Sequence, residues 1–158
     1  MNNPELNNIG DKKNALVILV GPPASGKSTW GKDFATKNNA VYVSTDSIRA
    51  EIGSGEGDQS VSGAAFGIAK NRVSRALASG KNAVIDATSV NRKSRKDWIE
   101  IAQQNNAYTI AVAFEVPREE LYRRDAQRER HVGNEIIDRF VDKYSRPTVG
   151  EVDKVIVK

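Results

Sequence analysis

One stretch near the start of the chain constrains the fold more than any other. Residues 15–20 form an uninterrupted apolar run of strand length, as expected of a strand buried on both faces. Residues 21–28 follow directly, read Gly-Pro-Pro-Ala-Ser-Gly-Lys-Ser and fit the pattern G-x-x-x-x-G-K-[ST]. The next residues are typical of a helix, with Trp30 and Phe34 one turn apart. A strand, this loop and a helix in that order predict a site for the phosphates of a nucleotide.

The residue types of the loop suit phosphate binding. Glycine at positions 21 and 26 lets the backbone approach a phosphate closely, and the helix N-terminus directs its dipole at the same place. Lys27 is expected to reach the β- and γ-phosphates, and the Ser28 hydroxyl to ligate Mg²⁺. A plain Gly/Pro turn is the alternative interpretation. The residues predicted to hold the nucleotide are Gly21, Pro22, Ala24, Ser25, Gly26, Lys27, Ser28 and Thr29.

Composition sets the broad class of the protein. A length of 158 residues predicts one domain, placed at 15–158 after a flexible polar tail at 1–14. The absence of cysteine excludes disulfides, thiol catalysis and cysteine-based zinc sites. No apolar run approaches membrane-spanning length and the tail lacks the apolar core of a signal peptide, so we expect no membrane partner and a cytoplasmic setting. The net charge of +4 fits a polyanionic partner.

Strand and helix patterns alternate along the chain. This order predicts an α/β fold with a parallel five-stranded sheet and helices on both faces, as in kinases with this kind of phosphate-binding loop (P-loop kinases). The predicted strands are 15–20, 41–43, 83–85, 108–114 and 155–157. The predicted helices are 27–38, 46–52, 61–79, 91–105, 117–130 and 134–144, the last with Ile136, Ile137, Phe140 and Val141 facing the core. A glycine-rich stretch, 53–58, is expected to be a mobile loop.

Polar residues follow three of the predicted strands, at the point where each strand ends. The phosphate-binding loop follows the first strand, Ser44-Thr45-Asp46 the second and Asp86-Ala87-Thr88 the third. In open parallel sheets, ligands bind beyond the carboxyl ends of the strands. We therefore expect all three clusters to line one crevice.

Asp46 and Arg49 are candidates for handling a phosphoryl acceptor. If 46–52 is helical, the two side chains share a face. Phosphoryl transfer requires a carboxylate beside the attacking oxygen, so Asp46 is predicted to accept the acceptor's proton while Arg49 holds an anionic group beside it. The alternative is that Asp46 is a helix N-cap and Arg49 a solvated charge.

Asp86 ends a buried strand and has three possible roles. One role is to bind Mg²⁺ through a water molecule, and another is to bind or orient the acceptor together with Thr88. The third is structural, in which Asp86 or Thr88 caps the loop that follows the strand. We assign Asp86 and Thr88 to substrate binding.

A segment after the fourth strand is rich in arginine. Five arginines, interleaved with acidic residues, lie between residues 117 and 130. Such a segment suggests a lid, whose arginines stabilise charge on a transferred phosphoryl group; Arg124 and Arg128 are one turn apart and suit one lid face. The alternative is an exposed helix stabilised by ion pairs. Those pairs would be Glu119–Arg123 and Glu120–Arg124.

Two further features carry weaker signals. A basic cluster after the third strand is either a solvated helix face or a contact for a nucleic-acid backbone at the mouth of the crevice. Its members are Arg92, Lys93, Arg95 and Lys96. His131, the only histidine, is assigned no role.

Four sequence blocks together resemble those of the phage-type polynucleotide 5′-kinases, within the wider group of P-loop kinases. The blocks are Gly21 to Trp30, Thr45 to Arg49, Asp86 to Thr88 followed by Arg95 and Trp98, and Glu120 to Arg128. The resemblance spans about residues 15 to 157, and includes an ending similar to the family's at Arg146-Pro-Thr148 and in the last strand.

The resemblance implies a reaction and its participants. It implies transfer of the γ-phosphate of ATP, with Mg²⁺, to the 5′-hydroxyl of a single-stranded end of DNA or RNA. Asp46 would be the general base and Arg49 would contact the acceptor's phosphate. Arg124 and Arg128 would grip the donor phosphates, with Lys27 and Arg128 counted as catalytic. Healing of both ends of a nucleic acid would then require a separate phosphatase or ligase partner.

Two other hypotheses stay open from the sequence. One is a P-loop kinase whose acceptor is a small hydroxyl metabolite, an antibiotic or a nucleotide-sugar in a closed pocket. The other is an NTP-binding switch protein, which requires a water-orienting group and ordered switch loops. Only residues 53–60 suggest a segment that moves.

Overall fold

The computed structural model describes Leu6 and residues 9–158. Its strands are β1 (Asn14–Val20), β2 (Val41–Ser44), β3 (Ala83–Asp86), β4 (Ala107–Ala113) and β5 (Lys154–Val157). Its helices are α1 (Lys27–Asn38), α2 (Thr45–Ile52), α3 (Ser62–Ala78), α4 (Arg92–Gln104), α5 (Arg118–Ala126) and α6 (Asn134–Lys143), with a 3₁₀ turn at Gln59–Val61. Apart from the end of α5, every predicted helix and strand boundary lies within one residue of the observed one.

The strands form one parallel sheet in the order β2-β3-β1-β4-β5. β1 lies at the centre, with Leu16 opposite Ala83 of β3 on one side and Thr109 of β4 on the other. All seven residues of β1 are buried, as expected for a parallel strand covered on both faces. The predicted α/β fold with a five-stranded parallel sheet is confirmed.

The two faces of β1 belong to two separate cores. Successive side chains along a strand point to opposite faces. Leu16 packs in a cluster with Val73 of α3 and Trp98 of α4. Val17 packs on the other face in a cluster with Phe34 of α1. Helices therefore cover both faces, and the carboxyl ends of the strands are left as the open edge of the sheet.

Helix α5 ends at Ala126, four residues before the predicted end at 130. The buried carboxylate of Asp125 accepts hydrogen bonds from the backbone N–H groups of Val132, at 3.0 Å, and Gly133, at 2.9 Å. These bonds turn the chain back on itself, because a side chain in the last turn of α5 binds the two backbone N–H groups that directly precede α6. Residues 127–133 therefore form a loop rather than a continuation of the helix.

The prediction that the apolar side chains of α6 face the core is wrong for most of them. Of its four apolar side chains only Ile137 is fully buried. The helix packs against α5, where Arg118 lies 2.7 Å from an oxygen of Asp138. Two of the remaining apolar side chains line the cavity described below.

The predicted tail at 1–14 falls in large part outside the described residues. Of the residues that are described, Asn14 already belongs to β1, and its side-chain amide donates to the Leu77 carbonyl at 3.1 Å. Leu6 packs against the core cluster that contains Phe34. Among the described residues, no helix combines the length and the apolar character that crossing a membrane requires.

Candidate active site

A cavity of about 610 Å³ opens at the carboxyl ends of β1, β2 and β3. All three polar clusters predicted to share a crevice contribute to its wall. The predicted site residues that line it are Ala24, Ser25, Gly26, Lys27, Ser28, Thr29, Asp46, Arg49, Thr88, Arg124 and Arg128. The structure thus brings the phosphate-binding loop, the start of α2 and the arginine-rich segment together around one space.

Gly21 and Pro22 are buried behind the cavity wall. The Gly21 N–H donates to the carbonyl of Thr88 at 3.0 Å, which ties the phosphate-binding loop to the segment after β3. A Cβ at position 21 would lie 2.8 Å from Ser25 Oγ, so only glycine fits there without displacing that side chain. Gly21 and Pro22 therefore hold the phosphate-binding loop in place but do not line the cavity.

The start of α1 is built to receive an anion. Gly26 precedes the helix with a φ of 89°, a left-handed conformation that glycine adopts at little cost. Among the described residues no side chain caps this helix end, so its first N–H groups are free to bind a phosphate. Ser25 Oγ and Arg128 Nη1 are buried polar atoms without a hydrogen-bond partner in the described structure, and both residues belong to the cavity wall. The uncapped N–H groups of α1 are donors that fit the oxygens of a nucleotide's phosphates.

The carboxylate of Asp86 is the centre of a small polar cluster. Lys27 Nζ lies 3.2 Å from one of its oxygens, and the Ser28 hydroxyl donates to the other at 2.6 Å. The Tyr42 hydroxyl also donates to this carboxylate. Burial, reinforced by the negative charge of Asp86, raises the pKa of Tyr42 well above its ordinary value, so this phenol stays a neutral donor.

The Ser28–Asp86 pair suits a magnesium ion that is shared with phosphates. Mg²⁺ takes one or two carboxylates, substrate phosphate oxygens and water in preference to a cage of protein ligands. The described residues contain no group of three or more histidine, cysteine or acidic side chains that could hold a metal by themselves. A hydroxyl and a carboxylate beside a phosphate-binding loop are the donor set that such a shared ion requires.

Helix capping does not explain Asp46 or Asp86. The cap of α2 is Ser44, whose hydroxyl accepts from the Ser47 N–H at 3.2 Å. Asn91 caps α4 through a reciprocal pair of hydrogen bonds with Ser94. The N-cap alternative is therefore wrong for Asp46, and Asp86 does not cap the next helix, α4. Both carboxylates are engaged by side chains of the cavity instead, Asp46 by Arg49 and Asp86 by Lys27 and Ser28.

Asp46 and Arg49 lie side by side on the cavity wall. The Arg49 guanidinium donates to one oxygen of Asp46, which confirms the predicted shared face of α2. Arg49 Nε also donates to the backbone carbonyl of Glu56 at 2.8 Å. Burial, with a smaller contribution from the positive charge of Arg130, lowers the pKa of Arg49 below its usual value.

The two predicted lid arginines reach the same cavity by different routes. Arg124 lies in α5, where its Nε is 2.7 Å from a carboxylate oxygen of Glu120 and its Nη1 donates to the Ser25 carbonyl at 3.4 Å. Arg128 lies beyond the end of α5, with Nη1 3.7 Å from an oxygen of Asp125. Both arginines line the cavity, but Arg128 is not part of the predicted helix, because the helix ends at residue 126.

Of the two predicted ion pairs of the lid segment, Glu120–Arg124 is confirmed and Glu119–Arg123 is not. Arg123 pairs with Glu120 instead, at 2.8 Å from Nε to a carboxylate oxygen. The Arg123 and Arg124 guanidiniums together lower the pKa of Glu120 to about 2.

A family model described as "AAA domain" matches residues 16–147 of the chain. The chain belongs to this family of P-loop kinases. Its matched part contains the phosphate-binding loop, Asp46 and both lid arginines. The sheet order and the loop between β1 and α1 are therefore those of a P-loop kinase.

Two curated proteins and one solved structure illustrate the range of relatives. A protein of Acanthamoeba polyphaga mimivirus, provisionally named a bifunctional polynucleotide phosphatase/kinase, is 26% identical over 109 residues, which cover 68% of this chain and 22% of that protein. The L-seryl-tRNA(Sec) kinase of Methanococcus maripaludis is 26% identical over 137 residues, covering 84% of this chain and 53% of that protein. A chain in the Pnkp1/Rnl/Hen1 RNA repair complex is 28% identical with a TM-score of 0.73, covering 87% of this chain and 45% of that one. This P-loop kinase thus spans about a fifth to a half of the length of the curated relatives it matches.

The basic cluster of the P-loop kinase divides into two parts. Arg95 is buried, lies 2.7 Å from a carboxylate oxygen of Glu151 and donates to the Ser89 carbonyl at 2.9 Å. It is therefore a structural residue, and neither interpretation of the cluster, a solvated helix face or a nucleic-acid contact, holds for Arg95. The exposed members, Arg92, Lys93 and Lys96, line a separate groove along α4 and not the cavity that holds Asp46.

Several wall residues were not predicted from the sequence to belong to the site, and two of them, Ile136 and Phe140, were predicted to face the core. The apolar part of the wall is made by Phe66, Val132, Ile136 and Phe140, and the polar part gains Glu56, Gln59 and Arg130. Phe66 is 38% exposed and stacks on Trp98 with ring centroids 6.1 Å apart. Two sequence signals were available: the apolar pair Ile136 and Phe140, four residues apart in the last helix, and the glycine-rich stretch that contains Glu56. Neither signal indicates a cavity by itself.

Proposed function

We propose that this P-loop kinase transfers the γ-phosphate of ATP to the 5′-hydroxyl at a single-stranded end of DNA or RNA. The observation that carries the proposal is the Asp46–Arg49 pair on the wall of the phosphate-binding cavity. A carboxylate next to a guanidinium fits an acceptor that brings a hydroxyl and an anion together. A nucleic-acid end has both, whereas most sugars and metabolite alcohols bring the hydroxyl alone.

The donor half of the site would hold the triphosphate through fixed positive charge. The N–H groups at the start of α1, Ser25 Oγ and Lys27 would bind the phosphate oxygens. Arg124 and Arg128, which line the same cavity, would contact the same phosphates. Arg128 is assigned to stabilise the negative charge that develops on the transferred group, because it lines the cavity and its only ion pair in the described structure, with Asp125, is long at 3.7 Å.

Ser28 and Asp86 are the residues that would hold Mg²⁺, which offsets the negative charge of the phosphates when it is bound. The buried position of Asp86 and its contacts with Lys27 and Ser28 support this role over the acceptor-binding role first assigned to it. Thr88 keeps its assignment to substrate binding, since it lines the cavity.

The acceptor half would carry out the proton transfer. The 5′-oxygen forms a bond to the γ-phosphorus while the bond from that phosphorus to the β–γ bridging oxygen breaks, and ADP leaves. Asp46 accepts the proton that the 5′-hydroxyl loses, and Arg49 holds the neighbouring phosphate of the acceptor so that the oxygen stays in line. We further propose that a separate phosphatase or ligase acts on the same nucleic-acid ends, since one relative is named as a bifunctional polynucleotide phosphatase/kinase and another belongs to an RNA repair complex.

A kinase for a small hydroxyl group is the second candidate. The relative that favours it is the L-seryl-tRNA(Sec) kinase, which matches 84% of this chain and whose name indicates a tRNA-bound serine as the acceptor. The apolar wall near Phe66 and Phe140 would then enclose a small acceptor.

One assay separates the candidates. The purified protein is given ATP labelled at the γ-position with 5′-hydroxyl DNA and RNA oligonucleotides, their 5′-phosphorylated counterparts, sugars, nucleosides, an aminoglycoside and seryl-tRNA. We expect label on the 5′-hydroxyl oligonucleotides only. Label on a small acceptor or on seryl-tRNA would overturn the proposal in favour of the second candidate, and ATP consumption that no acceptor stimulates would favour a nucleotide-dependent switch.

Replacing Ser28 by alanine is expected to raise the Mg²⁺ concentration for half-maximal rate by roughly 10- to 100-fold. The substitution removes one of the two oxygens that would hold the ion and leaves the Asp86 carboxylate and Lys27 in place. Rates measured across a Mg²⁺ titration at saturating ATP check the effect. Thr36→Ala, which removes an exposed hydroxyl of α1 that bonds to the Lys32 carbonyl, is the matched control. An unchanged Mg²⁺ dependence in Ser28→Ala would contradict the assignment.

A further inference from the structure

Arg130 is an arginine of the cavity wall that the proposed mechanism does not use. It lies in the loop between α5 and α6, and its side chain is 44% exposed. Its Nη2 is 4.0 Å from an oxygen of Asp46 and 3.9 Å from an oxygen of Glu56. A Cβ placed on Gly57 would lie 3.4 Å from its Nη1. The guanidinium thus stands on the acceptor side of the cavity, here defined as Asp46, Arg49, Glu56 and Arg130.

The acceptor side contains two positive and two negative side chains. Arg49 donates to one oxygen of the Asp46 carboxylate, and Arg130 faces the other. Glu56 supplies the second negative charge, and its side chain is 50% exposed. Any hydroxyl that reaches Asp46 therefore arrives between two guanidinium groups.

The contacts of Arg130 are loose and replaceable. At 4.0 Å from Asp46 and 3.9 Å from Glu56, its Nη2 is beyond hydrogen-bond distance of both carboxylates. Ion pairs between partly exposed side chains contribute little to stability. An incoming group that makes real hydrogen bonds to the guanidinium would displace Glu56 at small cost.

Phosphate is the group that matches this guanidinium. Arginine presents a planar fork of donors that fits a phosphate with two parallel hydrogen bonds. Arg124 differs from it, because its Nη1 donates to the carbonyl of Ser25 in the phosphate-binding loop and so belongs to the donor half. Arg130 lies instead against Asp46 and Glu56, away from that loop's contacts.

We infer that Arg130 binds a phosphate of the acceptor, and that the Glu56 carboxylate occupies this place when no acceptor is bound. The inference rests on the proposed function, since it names which part of a polynucleotide the second guanidinium recognises. It makes the acceptor's charge, as well as its hydroxyl, a condition for binding. Glu56 adds selectivity, because a neutral acceptor has nothing with which to displace it.

Two substitutions are expected to act in opposite directions on acceptor binding. Arg130→Gln removes the positive charge and should raise the Kd for a 5′-hydroxyl oligonucleotide about 10-fold, the size of a lost charge-assisted contact. Glu56→Gln removes the competing carboxylate and should lower that Kd by about 3-fold. Kd is measured without ATP, by anisotropy of a single-stranded oligonucleotide labelled at its 3′ end.

The salt dependence of binding adds an independent measurement. Each phosphate contact to a single strand contributes about 0.7 to the slope of log K against log salt. We expect the slope to become shallower by about 0.7 in Arg130→Gln and to stay unchanged in Glu56→Gln. Arg139→Gln is the matched control, because Arg139 is an exposed arginine of α6 outside the cavity wall. It should change neither the Kd nor the slope by a comparable amount.

The KM values for the two substrates show whether Arg130 binds the acceptor or instead binds ATP, as Arg124 and Arg128 are proposed to do. Arg130→Gln should raise the KM for the oligonucleotide and leave the KM for ATP unchanged. A raised KM for ATP, or an oligonucleotide Kd and slope equal to those of the wild type, would overturn the inference. The proposed function would fail differently, since the wild-type protein itself would then neither bind nor phosphorylate the oligonucleotide.

Discussion

Asp46→Asn is expected to lower kcat by roughly 10³-fold while ATP still binds, within the 10²- to 10⁴-fold range of general acid–base catalysis. The substitution replaces the carboxylate that would take the acceptor's proton with an amide of the same shape, which cannot take it. Asparagine retains one oxygen that can accept from Arg49, so the guanidinium stays where it is. The effect should therefore fall on the chemical step and not on the shape of the site.

ATP binding should survive because the ion pairs of Asp46 lie on the acceptor side. In the described structure its carboxylate pairs with Arg49 and Arg130, whereas Lys27 and Ser28 pair with Asp86. Single-turnover rates with a 5′-hydroxyl oligonucleotide and titration with a fluorescent ATP analogue measure the two effects separately. Asp33→Asn, the same change on the exposed face of α1, should alter neither. A kcat within threefold of wild type would show that Asp46 is not the base.

The parts of the site that the sequence predicted are those with a local cause. The phosphate-binding loop follows from two glycines at fixed spacing between an apolar run and a helix. The crevice follows from polar residues placed directly after three parallel strands. In each case the signal is local, because each glycine or polar cluster directly follows its own strand in the chain, so a single sequence contains the information.

The parts that the sequence did not predict depend on contacts between distant residues. Tyr42 reaches Asp86 because β2 and β3 are neighbours in the sheet, although the two residues are 44 positions apart. Arg130 reaches Asp46 only because Asp125 binds the backbone after α5 and turns the chain back. Propensity alone would continue that helix to residue 130, as the prediction did.

Arg95 shows how a charge pattern misleads. Four basic residues within five positions look like a solvated helix face or a nucleic-acid contact. The helical period turns Arg95 inward, onto the side of α4 that also carries Trp98. Its partner, Glu151, lies 56 residues further along the chain. A single sequence does not reveal which member of a basic cluster forms an ion pair with a buried carboxylate.

Arg95→Met is expected to lower the free energy of unfolding by about 3–5 kcal/mol, the usual cost of removing one partner from a buried ion pair. Arg95 is 1% exposed and Glu151 4%. Methionine fills much of the space but leaves the Glu151 carboxylate buried without its cation. It also leaves the Ser89 carbonyl without the donor that now lies at 2.9 Å. Urea denaturation followed by circular dichroism measures the change.

Two further variants separate the ion pair from the space that the side chain fills. Arg72→Met, which removes an exposed arginine paired with Glu51, should cost less than about 1 kcal/mol. Adding Glu151→Leu to Arg95→Met should recover most of the loss, because apolar residues of similar volume replace buried ion pairs at little cost. A loss below about 1 kcal/mol in Arg95→Met would contradict the account of a buried charge left unpaired.

The same pair ties the stability of the fold to the geometry of the site. Arg95 holds Ser89, whose φ of 45° lies in the left-handed region that residues other than glycine rarely adopt. Ser89 directly follows Thr88, which lines the cavity and binds the Gly21 N–H through its carbonyl. If Ser89 moved out of its left-handed conformation, both the phosphate-binding loop and Asp86, two residues before Thr88, would therefore shift. We expect the double variant, although refolded to near wild-type stability, to keep a reduced kcat, because leucine and methionine restore the packing but not the hydrogen bond to the Ser89 carbonyl.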